Sequence, residues 1–167
     1  MFLNDNNYAQ AGKAYERYID FVDSSLAAKA GVIAPADTVM GNYNFLAGYC
    51  NYFADGDNKD MNKAYNLFNK ALALGYTGNQ CEEFRNAAFR ANVQDLMNND
   101  DTKGDVLPFS DNAIAANPGV ANFYDIKGQV LLGDEKPALA KEQFKIAMDK
   151  NPEYGDSYLN YARALYE

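Results

Sequence analysis

Histidine and tryptophan are absent from this chain of 167 residues, and cysteine occurs only twice, at Cys50 and Cys81. Without histidine there is no Cys–His or Ser–His pair to activate a nucleophile, so Ser24, Ser25, Ser110 and Ser157 have no such base to call on. A typical mixed-ligand zinc site is excluded for the same reason. Two cysteines make no disulfide framework. Both stand among apolar residues at helical spacing and are expected as buried free thiols. Of the five prolines, four fall where a helix should begin or end. Val and Ile are sparse beside Ala, Leu, Tyr and Phe, which favours helix over sheet. No apolar run approaches the ~20 residues that span a bilayer. No basic segment followed by an apolar one opens the chain, so no signal peptide is expected. The compartment is left open: the cytoplasm, or the periplasm for a chain that starts after a cleavage site.

What is present is acidic and aromatic. The net charge is −8, and nearly half of the residues (48%) are hydrophobic, enough for a folded core. Lys and Arg are scattered singly among carboxylates. They form no basic stripe, which disfavours nucleic acid and anionic membrane as partners. Tyrosine reaches 13 residues and phenylalanine 10.

The chain repeats itself. From Ala121 it reads ANFYDIKGQVLLGDEKPALAKEQFKIAMDKNP. Tyr124, Gly128 and Leu131 share one helix face, and Gly133-Asp134-Glu135 breaks that helix. Pro137 opens a second helix at a first-turn position. Ala140, Phe144 and Ala147 mark its inner face, and Asn151-Pro152 ends it. Gly128 and Ala140 let two antiparallel helices approach closely while Phe144 fills the groove beside them. Pro118 stands 34 residues before Pro152, Ala113 stands 34 before Ala147, and Tyr158, Ala162 and Leu165 stand 34 after Tyr124, Gly128 and Leu131.

This order of aromatic, Gly, Ala, aromatic, Ala and Pro resembles the tetratricopeptide repeat. Lys127 departs from the family's usual Leu. Upstream, Gly48 is followed by Ala64, Phe68 and Ala71 at the same internal spacing, with about four extra residues in the turn 55–60 and Gly75 as a cap. Ala11, Tyr15 and Tyr18 repeat the spacing once more. Helices are expected at 5–28, 36–54, 59–74, 79–98, 106–116, 120–132, 137–150 and 154–166. The resemblance implies one all-α domain over 1–167, a right-handed α–α superhelix. A second-half helix at 5–28 precedes repeats at about 36–76, 79–118 and 120–152, and a terminal helix at 154–166 follows. Tyr15, Tyr18, Tyr124 and Tyr158 are expected as core residues.

The resemblance also implies a concave groove lined by the first helix of each repeat. Counted from Gly48, the groove takes Asn42, Phe45, Tyr49 and Tyr52. The next repeats add Glu82, Arg85 and Phe89, then Asn122, Asp125 and Gln129, then Asp156, Leu159 and Arg163. Aromatic anchors rimmed by amides and single charges suit a peptide. The anchors expected are Phe45, Tyr49, Tyr52 and Phe89, with Arg85, Asn122, Asp125 and Gln129 as polar groups. One subtype of the family grips a C-terminal carboxylate with Lys, Asn and Arg. The matching positions here hold Phe45, Tyr49, Ile126, Asp156 and Asn160, so that clamp is missing. The expectation is therefore a non-catalytic protein- or peptide-binding scaffold with no cofactor and no metal. The alternative is an architectural segment of a larger exported or assembly protein, with weak self-association through its end helices. Two acidic turns, at Asp55–Asp60 and Asn99–Gly104, lack the ligand pattern of a calcium loop.

Overall fold

The computed structural model describes residues 7–27, 33, 35–78 and 80–167. Among these it contains eight α-helices, two short 3-10 turns and no strand. The helices are α1 (Tyr8–Ala27), α2 (Asp37–Phe53), α3 (Met61–Ala73), α4 (Cys81–Met97), α5 (Val106–Ala116), α6 (Ala121–Gly133), α7 (Pro137–Lys150) and α8 (Gly155–Tyr166). The fold is all-α, and consecutive helices pack in pairs. Positions 5, 6, 28 and 79 of the expected helices lie outside the described residues. The chain divides into two compact units, Met1–Ala91 and Asn92–Glu167, with α4 running across the division.

In the first unit α2 packs against both α1 and α3. Two glycines set those distances. A Cβ on Gly12 would stand 3.1 Å from Cys50 Cβ, and one on Gly48 would stand 3.0 Å from the ring of fully buried Phe68. Ile19, Val22, Met40 and Ala47 fill the α1–α2 contact. Asp60 caps α3 by accepting from the Lys63 amide at 2.8 Å. Gly75, at φ +80°, ends α3 in the left-handed region that favours glycine. The extra residues before α3 include the 3-10 turn Gly56–Asn58. Glu16 accepts from Lys63 and from the Asn51 amide, and Lys70 meets Asp23 at 2.8 Å, so α1 is tied to both α2 and α3.

Asn44 is fully buried in α2. Its amide nitrogen donates to the Met40 carbonyl at 2.8 Å, while Oδ1 has no partner among the described residues. An orphaned buried acceptor costs its desolvation in full, whereas an apolar residue of similar shape does not. Asn44→Leu is therefore expected to raise stability by about 1 kcal/mol in urea unfolding. A loss of that size would show that the amide is needed.

In the second unit α6 is central, packed by α5, α7 and α8. A Cβ on Gly128 would fall 2.5 Å from the Phe144 ring, which is the same device as Gly48 under Phe68. Leu131, Ala140, Phe144 and Ala164 form one cluster, and Ala121, Tyr124 and Ala147 another. The Tyr124 hydroxyl donates to the Pro118 carbonyl at 3.2 Å. Ser110 is buried and donates to the Val106 carbonyl, so its hydroxyl is committed to its own helix.

Two expected core tyrosines lie at the surface. Tyr18 is 39% exposed and Tyr158 49%. Tyr124 gains its cover from Ala147 of α7. Tyr158 stands one period later on α8 and has no such cover among the described residues. Ala11, by contrast, is buried and Tyr15 half-buried, because α1 turns that face onto α2.

Candidate protein-binding face

The aromatic residues expected in the groove of the first unit come together. Phe45, Tyr49 and Tyr52 lie on one stripe of α2, each half-buried. Phe84 of α4 stands against all three, with ring centroids 6.3, 5.3 and 5.6 Å away. Phe53, at the end of the same α2 stripe, meets Tyr49 at 4.5 Å and Phe84 at 5.7 Å. Tyr8 of α1 closes one edge against Tyr49 at 6.1 Å, and Tyr76 stacks on Phe45 at 4.6 Å with an interplanar angle of 15°. Underneath, Phe68 supports Phe45 and Phe84, both at 5.8 Å. Edge-to-face and offset pairs at these separations hold one another in fixed orientations. The result is a rigid aromatic surface whose floor is core and whose top reaches solvent. Burial pushes the Tyr76 phenol above its usual value. Asn42 is exposed one turn before Phe45.

The groove expectation is corrected at three residues. Phe89 is fully buried, 5.7 Å from the Tyr65 ring, and offers no surface to a ligand. Arg85 is 6% exposed, its Nε and Nη2 donating to Asn86 Oδ1, and burial lowers its pKa. The reason is register. Cys81, Arg85, Ala88 and Phe89 are the buried stripe of α4, so the ring that reaches the aromatic face is Phe84, one position before Arg85. The third is Asp125, fully buried in α6. Its carboxylate accepts from Ser157 Oγ at 3.0 Å and from Asn160 Nδ2 at 3.1 Å, both on α8, and from Gln129 Nε2 at 2.7 Å. Asp125 is a fastening between α6 and α8. Gln129 is exposed but belongs to the same network. Asn122 stands apart from it, donating to the Tyr154 hydroxyl at 2.9 Å, and Arg163 is exposed near the end of α8.

Phe53, Phe84, Tyr8 and Tyr76 were missed by the groove count. Phe53 follows Tyr49 by four residues, and that helical spacing was enough to place it on the stripe. Phe84 needed the α4 register, which the weak repeat pattern of 78–99 does not give. Tyr8 and Tyr76 sit at a helix start and in a turn, where periodicity carries no information.

Both cysteines are buried. Burial pushes each thiol up to about 11, with Glu16 adding to the effect at Cys50 and Arg85 opposing it at Cys81. Cys81 Sγ lies 3.7 Å from the Phe68 carbonyl, as donor. A thiol whose folded pKa lies above its unfolded value stabilises the fold fully below the unfolded value near 9. That contribution is lost as pH climbs through about 11. Stability is thus expected to fall between those limits, with less of a fall in Cys50→Ala/Cys81→Ala. A pH series of urea midpoints checks this, and parallel curves for the two proteins would contradict it.

Among the described residues no helix is long and apolar enough to cross a membrane, and no group of three His, Cys, Asp or Glu is placed to hold a metal ion. No family model matches the chain, and no curated protein matches it. Among solved structures it is similar to the "TPR2AB-domain:pHSP90-complex of yeast Sti1", at 16% identity with a TM-score of 0.43, over 96% of this chain and 69% of that one.

Proposed function

We propose that this protein is a non-catalytic binding scaffold, and that the aromatic face formed by Phe45, Tyr49, Tyr52, Phe53 and Phe84 is where a protein or peptide docks. The observation that carries this reading is Phe84. It joins four rings of α2 into one surface that is supported from below and open above. Aromatic side chains supply large contact area at little entropic cost because their orientation is already fixed. The chain's chemistry agrees with a binding role. Ser110 and Ser157 are buried as structural donors, and both thiols are held protonated near neutral pH. The polar groups proposed to border the face in the first unit reduce to Asn42.

The test is selection from a random peptide library displayed on phage, followed by affinity measurement on the strongest binder. Phe84→Ala and the pair Tyr49→Ala/Tyr52→Ala are each expected to weaken that binder by at least about tenfold, the scale of a hot-spot truncation. Arg163→Ala, in the other unit, should leave it unchanged. Equal affinities across these variants, with helicity retained by circular dichroism, would move the binding surface elsewhere.

A further inference from the structure

A polar cavity of about 300 Å³ lies beside the aromatic face, and Tyr8 belongs to both. The four-residue insertion before α3 builds one of its walls. Asp57 comes from the inserted turn and Asp60 from the cap of α3, while Glu16 and Asn51 come from α1 and α2. Its charges do not cancel. Glu16, Asp57 and Asp60 face Lys13 and Lys63, and Lys63 is taken up by Glu16. Asp60 uses Oδ1 on the Lys63 amide, and the Asp57 carboxylate has no hydrogen bond or ion pair among the described residues. Glu16 is fixed by Asn51 at 2.7 Å, so that wall is rigid.

From this arrangement we infer that the cavity receives the alkylammonium group of a lysine side chain, presented by a peptide whose apolar part lies on the aromatic face. The inference rests on the docking role proposed for that face. Asp57 and Asp60 make no ion pair among the described residues although Lys13 shares the cavity, and the Tyr8 ring belongs to its lining. A four-carbon stem suits the passage from an apolar surface into a polar recess, because its methylenes pack on rings while its head stays solvated or paired. The direction of the charge match also suits a chain of net charge −8.

Three probes test it by chemical-shift titration of the isotope-labelled protein: N-acetyl-Phe-Lys-amide, N-acetyl-Phe-norleucine-amide and butylammonium. The lysyl peptide is expected to bind about tenfold more tightly than the norleucyl one. It should shift Gly12, Asn51 and the turn 56–60 in addition to Phe45, Tyr49 and Phe84. Butylammonium should bind more weakly than the lysyl peptide. In Asp57→Asn/Asp60→Asn, which keeps a capping side chain on α3, the two peptides should bind alike. Three results would overturn the inference: equal affinities of the two peptides for the native protein, charge-dependent shifts elsewhere on the surface, or butylammonium binding as well as the lysyl peptide. Failure of the docking role looks different, since neither peptide would then shift the aromatic residues.

Discussion

Asp125→Ala is expected to destabilise the second unit by about 3 kcal/mol and to loosen α8 before the rest of it. The magnitude follows from what is left behind. Ser157 is fully buried and Asn160 nearly so, and both aim their donors at the missing carboxylate. Each buried donor without a partner costs about 1–3 kcal/mol, and bonds to a charged acceptor are the stronger kind. Asp125→Asn keeps the shape and one acceptor, so it should cost less. Hydrogen exchange resolves the location, because α8 amides should lose protection while those of α3 do not. A change below about 1 kcal/mol for the alanine variant would mean that water replaces the carboxylate, and that the network does not hold α8.

Gly128→Leu should be comparably damaging, at about 3 kcal/mol, because even the first carbon of the new side chain has no room. A Cβ there would fall 2.5–2.9 Å from three Phe144 ring atoms, and Phe144 is fully buried with nowhere to move. The intrinsic preference for leucine over glycine in a helix recovers only about 1 kcal/mol. Combining Gly128→Leu with Phe144→Ala removes the clash. The double variant should therefore be less destabilised than the sum of the two singles by about 1 kcal/mol or more. Additive losses in urea unfolding would indicate that the two residues are not in contact.

That contact was readable from the chain. Gly128, Ala140 and Phe144 recur as Gly48, Ala64 and Phe68, and in each unit the glycine lies under the ring. Small and aromatic residues at fixed helical spacing leave one way to pack two helices closely, so the hairpins were legible. So was most of the α2 stripe, because Phe45, Tyr49 and Tyr52 share a face whatever packs on it. The α4 contribution was not. Its repeat pattern is weak, and a small error in register exchanges Phe84 for Arg85, the surface ring for the buried stripe. Asp125 was misread for a different reason. The groove count that the resemblance implies placed it on the open face of α6, but its partners on α8 lie more than 30 residues away in sequence, as the 32-residue span to Ser157 shows. A buried carboxylate satisfied by Ser, Asn and Gln has no local signature. The cavity beside Tyr8 belongs to the same class, since the inserted turn was visible in the chain but its closeness to Glu16 and Asn51 was not.

The central proposal is that the aromatic face of the first unit is a binding surface. Hydrogen–deuterium exchange with and without the library-selected peptide measures this most directly. New protection is expected in the second half of α2 and at the start of α4, around Tyr49, Phe53 and Phe84, with the second unit unchanged. Protection confined to α8, around Tyr158, Leu159 and Leu165, would contradict it.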